Sequence, residues 1–187
     1  MTSLVPGTTV EVSAGPRGLG GVLVSMGWSL EPGPGPQAEP VPLAIVCGEN
    51  GKALSPEHVV FFNQPTTASP GIAFSPAEPG RAEAGQFEAD FTRIPEDVAS
   101  IAFVTYIDPE VRGPGTFAPL RDAHVRIARP DGDEIARFEA APAEAEKTQA
   151  MLFGELFRHG DAWAFRALGR AYENGLAGVS RDFGLDV

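Results

Sequence analysis

The feature that most constrains this chain is a recurring alternation of apolar and polar residues with a period of two. Successive side chains of a β-strand point to opposite faces, so the alternation predicts strands with one face in a core and the other in water. Seven segments show it: TTVEVSA, GVLVSMGW, HVVFFNQ, QFEADF, AFVTYI, AHVRIAR and EIARFEA. They predict a mainly β protein, a β-sandwich of two antiparallel sheets with most of the chain arranged as a meander.

Turn residues separate these candidate strands. Asn50-Gly51 supplies the positive φ of a tight hairpin turn, and RPDGDE at 129–134 places Pro130, Asp131 and Gly132 at turn positions. GPRGLGG at 15–21 resembles a phosphate-binding loop but lacks the Lys-Ser/Thr ending and opens no helix, so we expect a hairpin turn there.

Two segments have features of helices. Residues 143–160 show both a helical spacing and a strand alternation, and periodicity alone does not decide between them. Residues 174–184 predict a short C-terminal helix, with Asn174 as N-cap and Gly184 as its stop.

Composition and charge exclude several classes of protein. The 187 residues are 43% hydrophobic, which suits one soluble domain with a real core. A net charge of −11 disfavours nucleic acid and anionic membranes, and apolar runs such as IAFVTYI are too short to span a bilayer. The opening MTSLVPGTTVEV lacks the marks of a secretion signal, and the single cysteine forms no intrachain disulfide, so we expect a cytoplasmic protein without membrane insertion.

A catalytic site is not indicated. Cys47 with His58, His124 or His159 offers a thiol nucleophile and a base, but no local signature supports such a pair. We expect Cys47 to be a small buried hydrophobe, and His58 and His159 to be solvated polar residues. The sequence therefore predicts a protein that is not an enzyme.

A metal site is also not indicated by the residues alone. Calcium takes several oxygen ligands, usually carboxylates at alternating positions in one loop. Residues 75–90 contain acids without that ladder and with Arg81 among them; the acids are Glu78, Glu83, Glu88 and Asp90.

The C-terminal third resembles the closing signature of the TerD family of tellurium-resistance and stress-response proteins. The likeness runs from Gly154 to Val187 in GELFRHGDAWAFRALGRAYENGLAGVSRDFGLDV. It is carried by Gly154, Glu155, Leu156, Phe157, Arg158, Trp163, Phe165, Ala167, Gly169, Tyr172, Gly175, Leu176, Phe183 and Gly184. Looser similarity continues upstream in LVPGTTVEV, VLVSMGW, NGK, VVFFNQ, FEADFTRIP and IAFVTYID. The resemblance implies a single domain over residues 1–187, and a strand hairpin at 148–170.

TerD proteins typically bind calcium in loops at one end of the sandwich, and this chain departs from that pattern. The positions of the family's Asp-x-Asp fall on Glu39 and Val41, with Pro40 between them. The second acidic stretch places Glu83, Ala84 and Gly85 where the family has two aspartates and a glutamate, and His58 also takes a usually acidic position. Calcium affinity follows the number of oxygen ligands, so we expect it to fall to roughly millimolar or weaker.

The resemblance therefore predicts a non-enzymatic stress-response or tellurium-resistance protein that acts through protein partners, with its calcium site largely lost. We expect no catalytic, cofactor-binding or metal-binding residues. One alternative is a working calcium module that uses mostly backbone carbonyls. Another is a small-molecule site where Trp28, Asn63 and Trp163 gather at the loop end, although core aromatics and a turn asparagine are the simpler interpretation.

The run EPGPGPQAEPVP at 31–42 lies where the resemblance places one half of the family's metal site. The sandwich pattern continues on both sides, so it is not a domain linker. Its five prolines predict a stiff, extended loop that cannot wrap an ion.

Overall fold

The structure is a computed structural model that describes residues 1–13, 20–67, 69–78 and 83–186. Two six-stranded sheets face each other, which confirms the mainly β sandwich. The strands are β1 (Thr2–Leu4), β2 (Thr9–Ser13), β3 (Gly21–Leu30), β4 (Pro40–Cys47), β5 (Val59–Val60), β6 (Ile72–Pro76), β7 (Glu83–Asp90), β8 (Ser100–Ile107), β9 (Leu120–Ala128), β10 (Glu134–Glu139), β11 (Ala150–His159) and β12 (Ala162–Tyr172). The helix α1 (Gly175–Asp182) follows them.

The strands are not arranged as a simple meander, so that prediction is wrong. The first sheet has the order β1-β10-β9-β3-β7-β6, and the second has the order β2-β12-β11-β8-β4-β5. Most neighbours are distant in sequence, and β1 pairs with β10 in parallel. Local alternation predicts that a segment is a strand but carries no information about its partner, which long-range packing selects.

The main core lies between the two sheets and is built on phenylalanines. The Phe87 ring on β7 lies 5.5 Å from the Phe103 ring on β8, which joins the sheets across the interior. Phe74 and Phe165 extend this stack on either side, at centroid distances of 5.1 and 6.4 Å. All four rings are buried, as the alternation of their strands requires.

A second, smaller core lies on the outer face of the second sheet, under α1. Val179 of the helix is buried there with residues of four strands: Leu43, Ile45, Cys47, Ala102, Val104, Ala150, Leu152 and Tyr172. The expected C-terminal helix is thus confirmed. Asn174 occupies the N-cap without a side-chain capping bond, and Gly184 has the left-handed φ of +68° that ends a helix. Within the described residues, neither the length nor the apolarity that a membrane-crossing helix needs is reached.

The hairpin predicted at 148–170 is confirmed. β11 and β12 pair from Ala150–Tyr172 to His159–Ala162, so the strand alternation prevails over the helical spacing. The turns at Asn50-Gly51 and RPDGDE are also confirmed, since Gly51 and Gly132 have φ values of +72° and +97°. Most of GPRGLGG lies outside the described residues.

The predicted strand HVVFFNQ is mostly wrong. Only Val59–Val60 pairs with β4, because Phe61 and Gln64 bond to each other through both backbone groups and close a turn. Their two N–H···O=C distances are 3.0 and 2.9 Å. The side chain of Gln64 then donates to the Val59 carbonyl at 2.6 Å and holds the turn against β5.

The proline run is a loop only as far as Glu39, which corrects its predicted extent. Residues 31–39 have no regular structure, but Pro40 and Pro42 belong to β4, paired with Ile107 and Thr105. The N–H of Asp108 donates to the Glu39 carbonyl at 2.9 Å. Hydrogen-bonded and non-hydrogen-bonded residue pairs alternate along an antiparallel ladder, so the nitrogens of Pro40 and Pro42 face away from β8. On the other side of β4, β5 pairs only with Ala44 and Ile45. The N–H groups that Pro40 and Pro42 lack therefore remove no hydrogen bond between strands.

Candidate functional site

The two stretches that resemble calcium loops meet in the fold, but they meet as an apolar contact. A Cβ placed on Gly85 would lie 3.3 Å from Cγ of Pro42 and 2.4 Å from Cε2 of Phe74. Gly85 is buried, and Val41 next to Pro42 is buried as well. The space that a carboxylate would need at position 85 is therefore filled by a phenylalanine ring.

Three of the acidic residues near these stretches lie around one phenol, that of Tyr106. Glu39 is exposed at the end of the proline loop. Burial is the main cause of the raised pKa of the Tyr106 phenol, and the nearby charges of Asp108, Glu110 and Glu39 raise that pKa further. Glu83 is half-buried at the start of β7. Among the described residues, no group of three or more His, Cys, Asp and Glu side chains has an arrangement that could hold a metal ion.

The three other acids that the sequence singled out, Glu78, Glu88 and Asp90, each border a cavity. Glu88 is exposed in β7, and Asp90 closes a local turn by accepting from the N–H and hydroxyl of Thr92 at 3.0 and 2.6 Å. Glu78 and Glu83 border a cavity of about 280 Å³ whose wall also includes Arg126. The predicted position of Arg81 among these acids lies outside the described residues.

Cys47 does not form a thiolate and base pair with a histidine in this structure. It is buried in the small core under α1, and burial raises the pKa of its thiol to about 12, although a hydrogen bond with Ser100 opposes this. Its sulfur is 3.5 Å from the carbonyl oxygen of Ile45. The interpretation of Cys47 as a small buried hydrophobe is confirmed.

The three histidines have different roles. His159 is exposed at the end of β11, as predicted, and its ring stacks on Phe157 with a centroid distance of 5.9 Å. His124 is buried and its Nδ1 is 2.8 Å from the Asp122 carbonyl. His58 is half-buried, which corrects its interpretation as a solvated residue.

His58 lies between two serine hydroxyls. Its Nδ1 is 2.7 Å from Oγ of Ser55, and its Nε2 is 2.8 Å from Oγ of Ser69. Ser55 caps the 3-10 turn Pro56–His58 by accepting from the Glu57 N–H, so the Ser-Pro-Glu-His sequence was a local signal for the first contact. Ser69 is eleven residues beyond His58, and only the tertiary fold brings it there.

Trp28, Asn63 and Trp163 do not gather at one end of the sandwich. Trp163 stacks on Phe91 at 5.1 Å, and Phe91 bonds through its N–H to the carbonyl of Gly20, immediately before β3. Trp28 lies eight residues along β3 from Gly20, about 26 Å away at the usual rise per residue. Asn63 is exposed in the turn after β5.

The residues of the C-terminal signature have structural roles. Gly154 is required because a Cβ there would lie 2.4 Å from the Arg166 carbonyl oxygen. Arg158 covers the Trp163 ring and binds the carbonyls of the turn that precedes β8. Tyr172 donates to Asp182 at 2.9 Å and joins β12 to α1.

A family model described as the TerD domain matches residues 1–183. The chain belongs to the TerD family. Tellurium resistance protein TerD of an Alcaligenes species is 30% identical over 193 residues, which cover 99% of this chain and 98% of that protein. General stress protein 16U of Bacillus subtilis is 29% identical over 191 residues, with the same coverage of both chains.

Solved structures agree with this TerD fold. A Streptomyces coelicolor homologue of the telluride resistance protein TerD superposes with a TM-score of 0.67 at 19% identity. The match covers 87% of this chain and 96% of that one. At this identity the likeness concerns the fold alone.

Proposed function

We propose that this TerD-family protein is a non-enzymatic stress-response protein that acts through protein contacts and does not depend on calcium. Its relatives that match over nearly their whole length are named for tellurium resistance and general stress. The proposal includes a cytoplasmic location, which the single buried thiol of Cys47 supports.

One observation carries the calcium part of the proposal: the packing of Phe74 and Pro42 against Gly85. A calcium loop holds its ion with several oxygen ligands at about 2.3 to 2.6 Å. The backbone at Gly85 faces carbons of the Phe74 and Pro42 rings instead. Val41, at the other former ligand position, is buried in a paired strand and offers no side-chain oxygen.

Thermal unfolding tests the calcium part directly. Protein treated with a chelator is melted with and without millimolar calcium chloride, and magnesium chloride at equal ionic strength is the control. A ligand that binds the native state must stabilise it, so we expect the same melting temperature in all three samples. A calcium-specific rise of several degrees would instead favour a working calcium module that uses backbone carbonyls.

Protein partners are tested by cross-linking in cells under tellurite or oxidative stress. The tagged protein is purified under denaturing conditions and its cross-linked peptides are sequenced. We expect reproducible cross-links from defined surface residues to a small set of proteins. Cross-links spread evenly over the surface, with no enrichment over an unrelated acidic protein, would contradict the proposal.

A further inference from the structure

The contacts of His58 form a directed chain of hydrogen bonds. Oγ of Ser55 lies 3.3 Å from Oε2 of Glu57, in addition to its contact with Nδ1 of His58. An ionised carboxylate only accepts hydrogen bonds, so the Ser55 hydroxyl proton points to Glu57. Ser55 Oγ then accepts from the Nδ1–H of His58, and Nε2 is left as an acceptor for the hydroxyl of Ser69.

With a neutral imidazole, which carries one N–H, this is the arrangement in which all three contacts carry a proton. The lone pair of Nε2 then faces Oγ of Ser69 at 2.8 Å, and Nδ1 is held by Ser55. A nucleophilic hydroxyl needs this arrangement of a base within hydrogen-bond distance and an orienting partner behind it. Here the orienting partner is a serine that is itself bound to a carboxylate.

The base is held on a rigid element. His58 ends a 3-10 turn, and the His58 N–H donates to the Ser55 carbonyl at 3.0 Å. The side chain of Gln64 donates to the carbonyl of Pro56, the first residue of this turn, and to the carbonyl of Val59, which follows it. These bonds hold the backbone that carries the imidazole next to Ser55.

Ser69 also borders a cavity. The cavity has a volume of about 420 Å³ and its wall includes Thr66, Thr67, Ser69, Ile72, Asp90 and Arg93. Ser69 has only 7% of its surface exposed, so a ligand reaches its hydroxyl through the cavity. The wall carries the carboxylates of Glu88 and Asp90 and the guanidinium of Arg93, an excess of negative charge that disfavours an anion and admits a small neutral group.

The geometry points to Ser69 as a nucleophilic acylation site that takes the acyl group of a small neutral activated ester. Oγ of Ser69 attacks the ester carbonyl carbon while its proton passes to Nε2 of His58. The bond from that carbon to the leaving oxygen then breaks, and the alkoxide or phenoxide takes the proton from His58. The products are an O-acyl Ser69 and an alcohol, without any oxidant, reductant or further reactant.

The test uses the full chain and p-nitrophenyl acetate. We expect up to one equivalent of p-nitrophenol per chain, with an acetyl group mapped to Ser69 by peptide mass spectrometry. His58→Gln keeps a polar side chain but cannot take the proton, and it should slow acetylation of Ser69 by about 100-fold. Ser55→Ala should slow it less, and Ser75→Ala, a serine outside this chain of contacts, should not change it.

The wild-type protein alone is sufficient to overturn the inference, so a variant that fails to fold does not protect it. Acetyl groups found on Lys52, Lys147 or the N-terminus but not on Ser69 would contradict it. Equal acetylation of Ser69 in the wild type and in folded His58→Gln would also contradict it. The inference goes beyond the proposed function, whose calcium and partner experiments give their results independently of this one.

Discussion

The guanidinium of Arg158 lies 4.7 Å above the ring centroid of Trp163, and its N–H groups donate to backbone carbonyls of the turn before β8. The Nε donates to Val98 at 2.8 Å, and Nη2 donates to Pro95 at 2.9 Å. The Trp163 ring also stacks on Phe91. A single arginine thus joins the β11–β12 hairpin to a loop sixty residues earlier in the chain.

Arg158→Lys should lower the free energy of unfolding by about 1 kcal/mol, because an ammonium group cannot serve two carbonyls and an aromatic face at the same time. Urea denaturation followed by tryptophan fluorescence measures this. Arg112→Lys, an exposed site, is the matched control and should stay within about 0.5 kcal/mol of the wild type. Equal stabilities of the two variants would show that the Arg158 contacts contribute nothing.

Gly85→Ala should destabilise the protein by about 1 to 3 kcal/mol through overpacking against Phe74. Gly33→Ala is the control, since a Cβ there meets no atom within 4 Å. Thermal or urea unfolding compares the two. If Gly85→Ala were as stable as the wild type, the site would have room for a side chain and the argument against a ligand at position 85 would weaken.

Thr105→Val should raise the free energy of unfolding by about 1 kcal/mol, because it removes a buried polar atom that has no partner to lose. Oγ1 of Thr105 is the buried side-chain polar atom without a hydrogen bond among the residues that the structure describes. Thr148→Val is the matched comparison and should lower the free energy of unfolding, since the buried Thr148 hydroxyl donates to the Glu144 carbonyl at 3.0 Å. Destabilisation by both substitutions would mean that Thr105 has a partner after all.

The phenol of Tyr172 should ionise late. Burial first, and then the hydrogen bond to Asp182, raise its pKa to about 12 from an ordinary value of 10.0. Because the native pKa lies above the unfolded one, this group's contribution to stability is complete below pH 10 and is lost as the pH rises towards 12. Absorbance at 295 nm should show this step.

The two tyrosines of the chain allow a matched control for this titration. Tyr172→Phe should remove the step near pH 12 and flatten the decline of stability between pH 10 and 12. Tyr106→Phe should keep that step, although burial also raises the pKa of Tyr106. A wild-type titration complete by pH 10.5 would contradict the buried hydrogen bond.

Much of the fold could be predicted because its signals are local. The alternation in AFVTYI and AHVRIAR, and glycines such as Gly51 and Gly132 at positive φ, depend only on neighbouring residues. The β11–β12 hairpin was harder to predict from periodicity, because its residues fit both a helical and a strand period. The strand is selected by its pairing with β8, which is distant in sequence. Strand β5 was overpredicted since the mutual bonds of Phe61 and Gln64 replace sheet pairing.

The sequence alone determined the strand content, the TerD resemblance and the departure from the acidic residues that the resemblance implies at the calcium loops, because residue identity and short-range period suffice for these. The tertiary structure alone decided that Pro42 and Phe74 fill the space at Gly85, and that the hydroxyl of Ser69 reaches the imidazole of His58. These contacts join segments through sheet pairing and loop closure. Their energies depend on the packing of the whole sandwich, which no single segment contains.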